Sequence, residues 1–412
     1  MNARPTEPVA VIGSGPAGIA SALALHKVGI PVKLYERYPQ PRAAGNIVNL
    51  WAPAIKALHD IGVDTHDIGS ECRTEFRNFK DKVRVRVKIP QEVIDAHGGF
   101  LGLTRPDLYE RMTDALPEGI LVGNKEVVGV EDEGDHVVVR FQDGESITTP
   151  LVIGADGINS VVRQIVLGQP PIREHGLHVI GGFTFDLPDG YPVHEAVIRH
   201  SRTVQASHTG IRSQGRDGAE WWIVQAWDPK DAAPADLKQH ALGLAKGFPS
   251  DQAELIASTP EEHIFRWPIR DRGEVPEVWT KGRVTLAGDA VHATSPYAAY
   301  GAGMSIVDGY FLGQLLKGVD LSDLAALQAA LARYEEKRVK HTAGQVKLAY
   351  MLGRQFHKVP APVRPIRDFV FDNTPFLQKI VGDSNPAEIS AQLKSMGADL
   401  HTPAPAETVA AR

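Results

Sequence analysis

VAVIGSGPAGIASALALHKVGIPVKLYE, residues 9–36, is the stretch whose reading decides the fold. The apolar run Val9, Ala10, Val11, Ile12 enters Gly13, Gly15 and Gly18 at G-x-G-x-x-G spacing. A helical pattern of small residues follows, and a second apolar run ends on Glu36. This is the order required of a βαβ unit built to hold a dinucleotide. The first glycine permits the tight turn, the second lets backbone approach a pyrophosphate, and the third lets helix pack on strand. Free N–H groups at the helix N-terminus then present partial positive charge to the phosphates. Glu36, 18 residues beyond Gly18, is placed to accept hydrogen bonds from a ribose.

Composition narrows the partners. The chain has 412 residues, enough for two domains or for one large domain with an insertion. Its 44 basic and 50 acidic residues give a net charge of −6 without a basic block. Neither nucleic acid nor a membrane surface is therefore expected as a partner. Cys72 is the single cysteine, so no intrachain disulfide forms, which fits a cytoplasmic protein. No apolar run reaches the ~18 residues of a membrane span. The histidines are scattered without a recognisable ligand spacing, so no metal site is expected.

Beyond Glu36, Arg37 and Arg42 belong to a proline-punctuated loop and either reach cofactor phosphate or adenosine or stay solvated. Residues 49–61 have helical apolar spacing. Residues 82–88, KVRVRVK, alternate with period two and predict a strand with one charged, solvent-facing side. Thr104 is a predicted N-cap, with Arg105 just ahead of the helix it opens. A hairpin is expected around Asp143-Gly144, and short alternating strands from Gly176 to Trp227. Residues 282–287 read as a strand returning to the core, 321–352 as a long helix, and the Pro/Ala/Thr-rich tail as disordered.

Three separated segments, the fingerprint ending on Glu36, Gly154-Ala155-Asp156-Gly157, and Gly288-Asp289-Ala290-Val291-His292-Ala293-Thr294-Ser295-Pro296, together resemble the FAD-dependent aromatic hydroxylases. The resemblance is to the para-hydroxybenzoate hydroxylase fold, in its salicylate-hydroxylase-like branch, and runs to about residue 380. It implies an α/β architecture: a Rossmann-like FAD-binding domain, an inserted antiparallel β-sheet substrate domain and C-terminal helices. The expected pieces are 1–72, 104–175 and 266–320 for FAD, and 73–103 and 176–265 for substrate. The C-terminal helical region is 321–398 and the tail 399–412.

By that resemblance Gly13, Gly15, Gly18 and Glu36 hold the ADP half of FAD, and Arg105 lies near the flavin phosphates. Asp156 links flavin and nicotinamide roles, and Asp289 binds the ribityl chain. Pro296, Gly301, Ala302, Gly303 and Met304 bring backbone N–H groups and a helix N-terminus to the flavin ring, favouring its reduced, anionic state. Relatives carry glutamine where Ala302 stands and glycine where Ala298 and Ala299 stand. Tyr297 and Tyr300 either line the flavin face or fill core, and His292 is structural.

The implied reaction is reduction of FAD by NADPH or NADH as a transient co-substrate, then oxygen transfer from a flavin C4a-hydroperoxide to an aromatic small molecule. A cofactor that carries the chemistry leaves no need for a catalytic triad or paired carboxylates. Substrate contacts are expected from the inserted sheet, with His200, His208, Arg212, Trp222 and Gln225 as candidates beside Tyr297. Alternation puts Trp221, Ile223, Gln225 and Trp227 on one face and Trp222, Val224 and Ala226 on the other, without saying which face meets the flavin. An oxidoreductase without oxygen insertion, an epoxidase or Baeyer–Villiger variant, and a flavin-binding interaction module are the alternatives.

Overall fold

In a computed structural model, described for residues 7–42, 47–168 and 170–398, the glycine turn sits at the C-terminal edge of a five-stranded parallel sheet. Strand order is Val284–Leu286, Val152–Gly154, Val9–Ile12, Val32–Tyr35, Leu121–Val122. The strands Val9–Ile12, Val152–Gly154 and Val284–Leu286 are buried throughout, as continuous apolar runs in a parallel sheet require. The helix Pro16–Lys27 packs closely on the helix Gly301–Leu316. Small residues set that distance: a Cβ on Gly309 would collide with the Ser21 amide, and one on Gly313 would lie 2.5 Å from the Ala24 Cβ.

The expected hairpin is a three-stranded meander, Val127–Asp132, Val137–Phe141 and Ser146–Thr149, beside this sheet. The insertion forms a seven-stranded sheet, ordered Ile264–Asp271, Arg173–Thr184, Arg216–Ala226, Gln205–Ser213, Glu195–His200, Arg73–Asn78, Val83–Arg86. All neighbours are antiparallel except Glu195–His200 with Arg73–Asn78. The second piece extends past the expected limits of 176–265, because backbone pairing carries the sheet from Arg173 to Asp271. Phe100–Thr104, of which residues 100–103 were expected in the insertion, instead pairs with Ile47–Trp51 and Ser70–Glu71 in a separate small sheet.

Two local expectations change. The stretch 49–61 begins as strand and turns helical only at Ala52, because Ile47–Trp51 pairs along Phe100–Thr104. Arg84 is not solvent-facing: its side chain is 3% exposed and its Nε meets the Asp372 carboxylate at 2.7 Å. The long C-terminal helix runs Leu324–His357. The expected tail, 399–412, and residues 43–46 of the loop after Glu36 lie outside the described residues. Among the described residues no helix is long and apolar enough to cross a membrane.

Candidate functional site

One cavity of about 840 Å³ runs from the glycine turn, between the parallel sheet and the seven-stranded sheet, to the long C-terminal helix. Each glycine of the fingerprint has a separate reason to be glycine. Gly13 has φ +97°, and a Cβ there would lie 2.7 Å from the Ala155 carbonyl oxygen. A Cβ on Gly18 would overlap the Gly13 carbonyl oxygen. Gly15 is different: its Cβ would meet only the Tyr109 hydroxyl, at 4.0 Å, so its backbone is open to the cavity. The helix that follows has no side-chain cap and no acid in its first turn, which leaves its N–H groups for an anion.

Glu36 stands beside this turn. Its Oε2 accepts from the Ser14 amide at 2.9 Å and the Ser14 hydroxyl at 2.6 Å, and its Oε1 from the Tyr38 amide at 3.0 Å. A carboxylate has about four acceptor positions, so one remains for a ligand hydroxyl. Arg37 and Arg42 are exposed outside the cavity wall, with their guanidinium groups over the Tyr38 ring at 4.9 and 3.8 Å. Arg105 lines the cavity and donates from Nε to the Ile47 carbonyl at 3.2 Å.

Asp289 opens onto the same cavity, and its enclosure by protein pushes its carboxyl pKa up, with His292 and Arg105 opposing. The turn carrying it is fixed from below by Asp308. That carboxylate accepts from the Gly288 amide at 2.8 Å, His292 Nε2 at 2.6 Å and Arg338 Nε at 2.7 Å. Burial alone would raise the Asp308 pKa, but His292 and Arg338 hold it below the ordinary value. His292 is thus structural, as expected. Arg163 ties the turn from the other side, donating to the Ala290 and Val291 carbonyls at 2.8 and 3.0 Å.

Pro296, Tyr297, Gly301 and Ala302 line the cavity at the start of the helix Gly301–Leu316, whose N-terminus is also uncapped and free of acids. Gly303 and Met304 do not line it. Gly303 packs on the Tyr300 ring, and Met304 is fully buried with Trp51 and Phe100, because helical rotation turns them from the opening. Ala299 holds φ +47°, a conformation glycine adopts without strain. Asp156 caps the helix Val161–Leu167 instead of lining the cavity: its carboxylate accepts from the Ser160 hydroxyl and from the Val161 and Val162 amides at 2.7 and 3.3 Å.

The inserted sheet forms the roof. Cross-strand register sorts its cavity face into three rows: His200, Gln205 and Val224; then Phe76, Ile198 and Trp222; then Thr74 and Glu220. The opposite face, with Trp221 and Ile223, is covered by the helices Leu237–Ala245 and Ser250–Ser258. Of the sequence candidates, Trp222, Tyr297 and His200 therefore reach the cavity. His208 does not: it shares the covered face with Trp221, against Arg199 and Tyr191, and burial, then Arg199, push its pKa down to about 4. Arg212 is spent in ion pairs with Asp67 and Asp217, at 2.7 and 2.8 Å. The Gln225 amide lies 2.8 Å from Nε2 of both His178 and His240, again on the covered face.

Glu220 was missed. It is 1% exposed, its Oε1 accepts from Asn49 Nδ2 at 3.0 Å, and its Oε2 has no partner. Burial, opposed by the Asn49 hydrogen bond, pushes its carboxyl up to about 8. The signal was present as a lone acid in the alternating run GAEWWIVQA, in phase with Trp222 and Val224.

Comparison with known proteins bears on the cofactor. The profile of the FAD binding domain family matches residues 6–349. The 3-amino-4-hydroxybenzoate 2-monooxygenase of Streptomyces platensis is 29% identical over 367 residues, covering 87% of this chain and 91% of that protein. The 6-hydroxynicotinate 3-monooxygenase of Bordetella bronchiseptica is 29% identical over 355 residues, 81% and 88% of the two chains. Klebsiella pneumoniae HpxO, solved with FAD and uric acid, superposes with a TM-score of 0.81 at 23% identity, over 93% of this chain and 97% of that one.

Proposed function

The chain belongs to the FAD-binding-domain family, and from that premise we propose that it is an FAD-dependent monooxygenase that hydroxylates an aromatic small molecule with NAD(P)H and dioxygen. The observation that carries this reading is the single cavity that joins an anion-ready glycine turn to a roof of aromatic and buried polar side chains. Bound FAD supplies the electron transfer and the activation of dioxygen. The chain's own residues do the rest. The Gly13–Gly15–Gly18 turn and its helix N-terminus receive the pyrophosphate, Glu36 the adenosine ribose, and Asp289 the ribityl chain. The uncapped helix at Gly301 and Ala302 directs positive potential at the ring's pyrimidine edge.

Roof and C-terminal helix exclude water: Phe76 and Trp222 on the sheet and Phe356 on the helix Leu324–His357 line the cavity with apolar surface, which protects the oxygen-transfer step from hydrolysis. Substituted hydroxybenzoates and hydroxypyridines, named in the two monooxygenase relatives, form the first substrate panel. In this reading the enzyme works in the cytoplasm on a freely diffusing arene. The test is NAD(P)H oxidation stimulated by an arene under labelled dioxygen. One labelled oxygen atom in the product is the expected result; NAD(P)H consumed with an unlabelled, reduced product overturns the reading.

A further inference from the structure

Glu220 Oε2 is a buried carboxyl oxygen on the cavity wall with no protein partner. Buried polar groups are normally satisfied, so such an atom is one that a ligand meets. Glu220 lies in a row of neutral side chains: register sets it beside Thr209, Thr209 beside Ala196, and Ala196 beside Thr74. From the strand Ile47–Trp51, Asn49 donates to its Oε1 at 3.0 Å. Of the titratable groups around it, the Cys72 thiol is kept neutral, because burial pushes it up to about 11. Arg105 lines the same cavity, with its Nε on the Ile47 carbonyl and its charge acting on Asp289 and Tyr109. Arg212, on the strand that carries Thr209, is paired with Asp67 and Asp217. A carboxylate enclosed in this row would hold one neutral hydrogen bond in place of its water, so the group keeps a proton instead. Burial accordingly pushes it up to about 8. Because Oε1 accepts from Asn49, Oε2 is left to carry that proton.

Resting on the aromatic-hydroxylase reading, we infer that Glu220 serves as an un-ionised acid whose Oε2–H donates to a carbonyl-type oxygen of the arene, which makes it a specificity-determining residue of the roof. A ligand without that oxygen leaves a buried donor unpaired, and a ligand with a second donor there meets a donor. Ionisation inverts the preference, since a carboxylate only accepts. Binding of an acceptor-bearing arene is therefore strongest below about pH 8 and falls as pH rises through it. An amide in this place keeps both halves of the arrangement without titrating: its oxygen takes the Asn49 hydrogen bond and its NH2 donates to the cavity.

The test reads binding, by the change in flavin fluorescence of the FAD-loaded full chain, so it is independent of oxygen insertion. Two probe pairs differ only in a carbonyl and do not titrate: acetophenone against ethylbenzene, and 1-indanone against indane. At about pH 6.5 the native chain is expected to bind each ketone about tenfold more tightly than its hydrocarbon. Raising the pH to about 9 is expected to weaken the ketones about tenfold and leave the hydrocarbons unchanged, the loss imposed when only the protonated form of a group titrating at about 8 binds. Glu220→Gln keeps the preference and loses its pH dependence; Glu220→Leu loses the preference at both pH values, with the Kd for FAD unchanged. Ketones bound no more tightly than hydrocarbons at the lower pH, ketone binding that stays flat or strengthens as pH rises, or the same fall with pH in Glu220→Gln overturns the inference. A loss of FAD affinity in Glu220→Leu with the ketone preference intact assigns the donor to the flavin and overturns it too. Ketone selectivity with the expected pH profile, but without label from dioxygen in any product, overturns the oxygenase reading and leaves the Glu220 assignment supported.

Discussion

Replacing Glu220 with glutamine removes a titration that the fold makes costly, while the amide oxygen keeps the Asn49 hydrogen bond. The carboxyl is 1% exposed, and burial raises its pKa from the ordinary 4.5 to about 8. In the unfolded chain it returns to the ordinary value. Between those two values the folded protein holds a proton that the unfolded chain has released. Stability from the neutral acid is therefore fully present below about pH 4.5 and is lost as pH rises through about 8. Each pH unit inside that window costs about 1.4 kcal/mol, so raising the pH from about 5.5 to about 8.5 costs about 3 kcal/mol. For a chain of 412 residues that corresponds to about 4 °C in Tm. The assay is thermal unfolding of native protein and Glu220→Gln at matched pH, with and without FAD. The Tm of the variant minus that of the native protein should grow by about 4 °C between the two pH values. A difference that stays constant refutes the reasoning, because a carboxylate paired in the folded state is ionised in both states across this window.

Two further substitutions separate cofactor binding from folding. Gly15→Ala projects its methyl into open cavity, so the chain should fold normally and lose FAD affinity by about tenfold or more, read by flavin fluorescence. Gly18→Ala overlaps the Gly13 carbonyl and should cost about 3 kcal/mol of stability even without FAD, read by denaturant unfolding. Asp308→Asn leaves the fully buried Arg338 without its charge partner, and unfolding free energy should fall by about 3–5 kcal/mol. The same change frees the Gly288 turn, so FAD affinity should fall with it.

Much of the cofactor half was legible in the chain because its signals are local. Glycine spacing, an uncapped small-residue helix and an acid at a strand end are each set by neighbours in sequence, and the structure reproduces them at Gly13, Gly15, Gly18 and Glu36. Where contacts are distant the reading failed. Residues 49–51 looked helical until Phe100–Thr104 paired with them. Arg84 looked solvated until Asp372, nearly three hundred residues on, covered it.

The sequence by itself determined the parallel sheet, the dinucleotide turn and a two-faced strand at Arg216–Ala226, because side-chain period and glycine placement are properties of the local chain. Only the tertiary structure decided which of those two faces meets the cavity. Alternation defines both faces equally. The helices Leu237–Ala245 and Ser250–Ser258 close over Trp221 and Ile223, which leaves Trp222 and Glu220 to face the cavity.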